Sequence, residues 1–227
     1  MKELIKKENS IFEILQKFID SSLNFIIVGG YAVSSFRHRF SVDADMVIKN
    51  QDLEEFEIIL RKEGFKKIIS KELENIYSSR FVRYSKNTAS IDLMIDALAS
   101  RTTTASFSYD ILSNNSSKRK IIGIEKEITA FVPDKEILIV TKIHSGRLTD
   151  FRDIAALAKD SDLNKIQKFL FIGDINEVNK NLRELNKIVN DKKFIDSFKG
   201  VFMEKKFDID LKQVKKISEI KNNFRKG

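Results

Sequence analysis

One stretch near the N-terminus constrains the fold of this chain more than any other. The apolar residues 25–28 lead directly into Gly29 and Gly30, and a second apolar run follows two acids, Asp43 and Asp45. Short apolar runs beside turn residues are typical of buried strands. The sequence therefore predicts a strand that enters a glycine turn, a short helix, and a second strand that begins with two acids.

Asp43 and Asp45 are two positions apart, so a strand would project both carboxylates to the same face. Neighbouring carboxylates repel each other unless a cation lies between them, and oxygen-rich sites of this kind suit Mg²⁺. Such pairs are typical of two-metal phosphoryl transfer, with ions roughly 3.5–4 Å apart. Gly29 and Gly30 would let backbone approach phosphates closely. Either pair alone is usually an ordinary turn or strand end, so the prediction depends on their combination.

Residues 38–45 carry a specific resemblance. They read His-Arg-Phe-Ser-Val-Asp-Ala-Asp, and together with the glycine pair they resemble the opening motif of the DNA polymerase β-type nucleotidyltransferase superfamily. Within it, the string is most similar to the nucleotidyltransferase toxins of type IV abortive-infection systems. The chain departs from that pattern at Arg37, where a glycine is common, and at Ala44, where a larger aliphatic residue is usual.

The resemblance covers about residues 23–157 and implies an enzyme. We expect an α+β fold with a mixed β-sheet nucleotidyltransferase core and flanking helices. The implied activity is Mg²⁺-dependent transfer of a nucleoside monophosphate from an NTP such as ATP to an acceptor hydroxyl, with release of pyrophosphate. The implied nucleotide-binding residues are Gly29, Gly30, Arg39, Ser41, Lys142 and Arg147.

A third carboxylate is expected on a later strand. Residues 89–96 are largely apolar and carry Asp92 and Asp96, whose even spacing places them on the same side of an unbroken strand. The resemblance implies that one of them completes the metal site, and Asp92 fits best, as general base and shared metal ligand. Asp96 is the reserve candidate, because it could instead end the strand and cap the next segment. A surface acid on an edge strand is the alternative for both.

A second, looser motif follows in residues 142–153. The abortive-infection enzymes carry a helical lysine, then an arginine and an Asp-x-x-Asp pair, which this chain matches as Lys142, Arg147, Asp150 and Asp153. The resemblance implies that Lys142 contacts the triphosphate. Thr149 stands where the family often has a lysine. Structural roles for Asp150 and Asp153, as an anchor for Arg147 or as helix caps, are the alternative.

Periodicity predicts the remaining elements. We expect an amphipathic helix over residues 2–20, a helix that begins at Asn50 or Asp52 and ends at Gly64, and a helix after Pro133. Short strands are expected over 65–69, 79–84 and 121–132, loops over 100–120, and further helices over 162–171, 174–190, 192–203 and 208–223. This organisation predicts a catalytic domain over residues 1–133 and a C-terminal helical bundle over 134–227.

Composition limits the class of protein. The chain has 227 residues, 42% of them hydrophobic, without cysteine, and its net charge is +8. A disulfide framework or a thiolate zinc site is therefore excluded. The N-terminus lacks the core of a signal peptide, and no apolar run approaches the ~18 residues of a membrane span, so we expect a cytoplasmic protein.

The basic charge favours polyanionic partners, although lysines on solvated helix faces account for much of it. The lysine-rich ending, which consists of Lys215, Lys216 and residues 221–226, would either bind nucleic acid or form a solvated tail. The expected partners are the NTP, tRNA or other RNA, and, if the chain is the toxin of a toxin–antitoxin system, a cognate antitoxin protein. A nucleic-acid- or protein-binding module without catalytic activity on the same fold is the alternative function.

Overall fold

The structure is a computed structural model that describes residues 2–72, 80–198, 201–202 and 208–222. It forms two compact units, one of residues 1–99 and 107–133, the other of residues 100–106 and 134–227. Residue 79 of a predicted strand, residues 199–200 and 203 of a predicted helix, and residues 223–226 of the predicted basic tail lie outside the described residues. Within those ranges no helix is both long and apolar enough to cross a membrane.

The first unit holds most of the strands. Its helices are α1 (Lys2–Asp20), α2 (Gly29–Ser34), α3 (Leu53–Lys62) and α4 (Tyr109–Asn114), and a short 3-10 turn, Asn50–Asp52, precedes α3. Its strands are β1 (Ile26–Val28), β2 (Asp43–Ile48), β3 (Lys66–Glu72), β4 (Arg80–Lys86), β5 (Ala89–Ile95), β6 (Ala97–Ala99), β7 (Ser106–Ser108, which begins in the second unit), β8 (Ser116–Ile122) and β9 (Glu127–Pro133).

Seven of these strands form one mixed sheet in the order β3-β4-β5-β2-β1-β9-β8, and β6 pairs with β7 in a separate small sheet. β2 and β5 run parallel, as do β1 and β9, whereas β1 and β2 are antiparallel. The predicted α+β fold with a mixed sheet and flanking helices is confirmed.

One face of the central strands is fully buried. Ile27, Met46, Leu93 and Val82 are partners across four neighbouring strands, and each is 0% exposed. Burying a side chain of this size contributes roughly 1.5–3 kcal/mol relative to an exposed one. Because side chains alternate along each strand, the neighbouring residues project to the opposite face, where the acids lie.

The predicted N-terminal helix is confirmed as α1, and its apolar residues explain its position. Phe12 and Phe18 are buried, and they make edge-to-face contacts with Tyr31 of α2 and Phe56 of α3. Such ring pairs contribute about 0.5–1.5 kcal/mol beyond the burial of their area. α1 thereby connects the first turn of the unit to the helix that follows β2.

The loop predicted over residues 100–120 is partly wrong. Residues 106–108 form β7, residues 109–114 form α4, and β8 begins at Ser116 and pairs with β9 along its whole length. Residues 121–132, predicted to be strand, belong to the two strands of a hairpin, which is closed where the N–H of Gly123 donates to the carbonyl of Lys126 at 2.8 Å. Ser, Asn and Lys predicted a loop, but the partner strand satisfies the backbone of β8 whatever its side chains.

The second unit is helical, as expected for this part of the chain, but the helix predicted over 192–203 ends at Asp196. Its helices are α5 (Lys135–Ser145), α6 (Leu148–Leu157), α7 (Leu163–Leu170), α8 (Ile175–Val189), α9 (Lys192–Asp196) and α10 (Leu211–Ser218). Asp162, Asp174 and Asp210 cap α7, α8 and α10 by accepting from backbone N–H groups of the first turn. Caps of this kind are worth about 1 kcal/mol each.

Residues 100–106 join this helical unit through backbone and hydroxyl contacts. Ser100 Oγ donates to the carbonyl of His144 at 2.8 Å, and the N–H of Asp174 donates to the carbonyl of Thr103 at 2.6 Å. His144 is 0% exposed, and its Nδ1 is hydrogen-bonded to Thr103 Oγ1 at 2.7 Å. Burial lowers the pKa of His144 to about 4.

This buried histidine predicts a defined acid sensitivity. The pKa of His144 in the folded state lies below the unfolded value of 6.5. The contribution of His144 to the free energy of unfolding is therefore complete above pH 6.5 and is lost as the pH falls toward 4. When the pH is lowered from 7 to 4, the free energy of unfolding should fall by roughly 3 kcal/mol more in the parent protein than in an H144Q variant. Chemical denaturation at each pH measures this difference. Equal pH dependence in the two proteins would show that His144 is not the group that titrates.

Candidate active site

The acids predicted to act together lie in one row of the sheet. In the parallel pair of β2 and β5, Asp45 is the partner of Asp92, and Asp43 is the partner of Ser90. Ala44 and Met46, which alternate with the two acids, are fully buried, while Asp43 and Asp45 are half-buried. Asp92 is 3% exposed. The structure therefore brings the three predicted carboxylates to the same face of two adjacent strands.

The glycine turn makes room for this row. Gly29 follows β1 with a positive φ of 66°, and a Cβ at this position would overlap Oδ2 of Asp45. A Cβ on Gly30 would overlap Oγ of Ser41 and would lie 3.5 Å from Nη2 of Arg39. The predicted residues Gly29, Gly30, Arg39 and Ser41 are thus neighbours, and the glycines admit protein side chains directly.

The loop between α2 and β2 is held by polar contacts to its own backbone. Tyr31 Oη donates to the carbonyl of Ser41 at 3.1 Å, Ser41 Oγ donates to the carbonyl of Asp43 at 3.3 Å, and Arg39 Nε donates to the carbonyl of Phe40 at 3.3 Å. Burial, with the charges of Glu8 and Asp43, raises the pKa of Tyr31 well above its usual range. The phenol therefore stays protonated and remains a hydrogen-bond donor to this loop.

Arg83 is a residue of this row that the sequence did not identify as part of the site. It lies on β4 opposite Asp92, and its Nε and Nη2 donate to the two carboxylate oxygens at 2.7 and 2.6 Å. Hydrogen bonding to Asp92, against the opposing effect of burial, raises the pKa of Arg83 above its usual range, helped by the charges of Asp92, Asp43 and Asp45. The sequence pattern that could have indicated Arg83 is its alternation with apolar residues in a predicted strand.

Lys7 is the second residue that the sequence analysis missed. It extends from α1, and its Nζ lies 3.5 Å from Oδ1 of Asp43. The two side chains are 16% and 34% exposed. Lys7 is one of several lysines in an amphipathic helix, and nothing in its sequence surroundings distinguishes it from the others.

Asp96, the reserve candidate, ends β5 and connects it to the turn after β2. Its φ is 66°, its Oδ1 accepts from the N–H of Asn50 at 2.8 Å, and its own N–H donates to the carbonyl of Ile48 at 2.8 Å. These contacts correspond to the capping alternative for Asp96, so Asp92 is the better candidate for the third carboxylate.

The residues of the second predicted motif form a cluster inside the helical unit. Lys142 on α5 is 7% exposed, and its Nζ lies 3.0 Å from Asp150 Oδ1 and 2.7 Å from Asp153 Oδ2. Burial lowers the pKa of Lys142, but the charges of Asp153 and Asp150 outweigh it, so the pKa is raised. Both partners of this ammonium are carboxylates.

Arg147 completes the cluster at the start of α6. Its Nε donates to Asp150 Oδ2 at 2.7 Å, and its backbone N–H donates to the same carboxylate at 3.3 Å. Burial raises the pKa of Asp150, but Arg147 and Lys142 outweigh that effect and hold it below its usual value. The geometry favours a structural role for these four residues, and contact of Lys142 or Arg147 with a triphosphate stays a prediction.

The donor chemistry of the acid row fits a hard divalent cation. Three carboxylates on adjacent strands, with Asp45 seated where Gly29 leaves space, supply the oxygen ligands that Mg²⁺ takes. Among the described residues, however, no three acidic or histidine side chains converge closely enough to hold a metal ion. In this arrangement Asp92 and Asp43 instead face Arg83 and Lys7.

The mixed sheet and its flanking helices define a nucleotidyltransferase-like fold. The solution structure of the antibiotic-resistance factor ANT(2'')-Ia, an aminoglycoside nucleotidyltransferase, resembles this chain with a TM-score of 0.52 at 14% identity, over 71% of this chain and 88% of that one. The crystal structure of ANT(2'')-Ia with adenylyl-2''-tobramycin gives a TM-score of 0.51 at 13% identity, over 75% and 95%. At these identities the likeness shows the fold alone.

JHP933 from Helicobacter pylori matches with a TM-score of 0.49 at 13% identity, over 96% of this chain and 91% of that one. No protein-family model matches the chain, and no curated protein matches it. The closer similarity to abortive-infection toxins therefore stays a prediction from the motif.

The packing of Gly29 against Asp45 predicts a selective effect of a single methyl group. A G29A variant should be less stable than a G64A variant by roughly 1–3 kcal/mol, since its Cβ meets a carboxylate. Gly64 is a matched control, because its φ is also positive, at 81°, and its Cβ would meet only Lys86 carbons at 3.7 Å or more. In a D45A background most of this difference should disappear, because only the Cβ of residue 45 remains, 3.0 Å from the new methyl group, as measured by denaturant unfolding.

The buried lysine of the helical unit predicts a larger effect. A K142M substitution leaves Asp150 and Asp153 buried without their ammonium partner, so we expect a loss of about 3–5 kcal/mol in the free energy of unfolding. K180M, which removes an exposed pair with Glu177, should cost less than about 1 kcal/mol. Similar losses in the two variants would contradict the structural role of Lys142.

Proposed function

We propose that this protein is a nucleotidyltransferase that transfers a nucleoside monophosphate from an NTP to an acceptor hydroxyl. The observation that carries the proposal is the row in which Asp45 lies opposite Asp92, with Asp43 on the same face and Gly29 making room for Asp45. The nucleotidyltransferase-like fold supports it. The motif resemblance supplies the reaction type.

In the proposed reaction the acceptor oxygen attacks the α-phosphorus of the NTP. A new bond forms between that oxygen and the α-phosphorus, the bond from the α-phosphorus to the bridging oxygen breaks, and pyrophosphate leaves. We assign proton acceptance from the attacking hydroxyl to Asp92, which lies opposite Asp45, at an oxygen that Arg83 must first release. Arg39 and Ser41, held beside Gly30, lie where phosphate oxygens would need donors.

The three carboxylates would hold Mg²⁺, and two ions are expected for this chemistry. When bound, the metal supplies positive charge to the phosphate oxygens. Lys142 and Arg147 join the nucleotide-binding residues only if their ion pairs with Asp150 rearrange.

The acceptor is the second part of the proposal. ANT(2'')-Ia was crystallised with adenylyl-2''-tobramycin, in which the adenylyl group is joined to a small molecule. In this chain the net charge of +8 favours a polyanion, so we place tRNA or other RNA first and a protein hydroxyl second. The motif resemblance further suggests a toxin that acts with a cognate antitoxin protein.

The proposed function predicts that isosteric loss of the acids abolishes transfer. D43N and D45N should each reduce label transfer from α-labelled NTP by at least ~10³-fold, because the charge that organises the reacting groups is lost while shape is kept. D110N is the matched control, since Asp110 lies in the same unit with its side chain 76% exposed. It should transfer label as the parent does.

The assay incubates the protein with each labelled NTP, Mg²⁺ and total RNA. Label in RNA supports an RNA acceptor, and label in the protein supports a protein acceptor. Full transfer by D43N or D45N would refute the site. No transfer by the parent would favour a nucleic-acid- or protein-binding module without catalytic activity.

A further inference from the structure

The cations that face the acid row come from two different elements. Arg83 belongs to β4 and Lys7 to α1, and neither is a neighbour in sequence of the carboxylate that it contacts. The Arg83–Asp92 pair is bidentate, and the Asp92 side chain is only 5% exposed. Charge-assisted pairs of this geometry are the strong kind, because two parallel N–H···O bonds fix both partners. One guanidinium therefore occupies both oxygens of Asp92.

A buried carboxylate needs such a partner. Removing an ionised group from water costs several kcal/mol unless an opposite charge and hydrogen bonds compensate. On this sheet the requirement is strongest at Asp92, which has Asp45 as its neighbour on β2 and Arg83 as its neighbour on β4. The row thus places two neighbouring carboxylates and one guanidinium on three adjacent strands.

Lys7 makes a weaker contact of the same kind. Its Nζ is 3.5 Å from Asp43, whose side chain is 34% exposed, so water and salt screen the attraction. Among the described residues, the acids lie on adjacent strands and yet do not converge on a common point. Instead, the carboxylates of Asp92 and Asp43 contact Arg83 and Lys7.

We infer that Arg83 and Lys7 are internal counterions of the acid row, and that a divalent cation binds by displacing them from Asp92 and Asp43. This inference rests on the proposed function, which assigns the metal to these acids. Binding exchanges at least one N–H···O bond of Arg83 for a metal–oxygen bond. In this account Arg83 competes with the metal for Asp92, so the free energy of the Arg83–Asp92 pair reduces the free energy of metal binding.

The inference predicts that removal of a counterion tightens metal binding. In R83M the competing charge is gone, so the dissociation constant for Mn²⁺, measured by electron paramagnetic resonance of the free ion with a non-hydrolysable NTP analogue present, should fall about tenfold. K7M should lower it about threefold, because its pair is longer and more exposed. A positioning role without competition would instead leave Mn²⁺ binding unchanged or weaken it.

Matched controls lie beside each residue. Arg80 is on β4 opposite the buried Ile95, on the other face of the sheet from Asp92, so R80M removes the same charge without touching the row. Lys6 precedes Lys7 on α1 and is exposed, so K6M is the control for K7M. Both controls should bind Mn²⁺ as the parent does.

Folding of the variants is checked by thermal unfolding. Without Mn²⁺, R83M should be less stable than the parent, because Asp92 stays buried without its partner, and saturating Mn²⁺ should raise its melting temperature more than that of the parent. R83K, which keeps a charge but not the bidentate geometry, should lie between the two in Mn²⁺ affinity. If R83M does not fold, R83K decides the question in the same way.

The outcomes separate this inference from the proposed function. Transfer activity in the parent, with Mn²⁺ affinity in R83M and R83K no higher than in R80M, would overturn the counterion role alone. Absence of both Mn²⁺ binding and label transfer in the parent would overturn the proposed function, and the inference with it. Tighter binding in R83M and K7M, but not in the controls, supports the exchange.

Discussion

The parallel register between β2 and β5 is the constraint on which the candidate site depends. Asp45 meets Asp92 only in this register, and a slip by one residue would turn the acids of one strand toward the buried face. Met46 and Leu93, partners in the same register and fully buried, make that slip costly. The apolar face of the sheet therefore fixes the arrangement of the polar face.

In both units a basic side chain forms an ion pair with a buried carboxylate. In the sheet unit Arg83 engages Asp92, and in the helical unit Lys142 lies between Asp150 and Asp153. The difference is exposure, since the Arg83 side chain is 35% exposed whereas that of Lys142 is 9% exposed. A partner from solution can compete more readily for the first pair than for the second, and this separates a candidate reactive site from a structural cluster.

Local patterns were sufficient to predict part of this structure. Strand alternation placed Asp43 and Asp45 on one face, and the spacing of apolar residues predicted α1 and the helices after residue 134. The register that joins Asp45 to Asp92 could not be derived, because it depends on a crossover through α3, β3 and β4. The contacts of Arg83 and Lys7 depend on that same long-range pairing.

The contacts of the second motif could not be predicted from local patterns either. The sequence placed Lys142 on a helix but could not tell whether it faces a ligand or the acids of the next helix. In the structure Lys142 contacts the acids of the next helix, and its own helix is followed by a turn at Gly146, whose φ is 69°. Residues 116–120 of β8 were missed for a related reason, since a strand at the edge of a sheet depends on its partner more than on its own composition.

The antiparallel pairing of β4 and β5 has a consequence for the order of folding. Arg83 and Asp92 belong to one hairpin, with Asn87 in its turn, whereas Asp45 reaches Asp92 only through distant pairing. Hairpins form in microseconds, and contacts between distant segments form more slowly because more chain entropy must be lost first. A hairpin that forms first would bring Asp92 to β2 with its charge already compensated by Arg83, which would reduce the repulsion between the two carboxylates during folding.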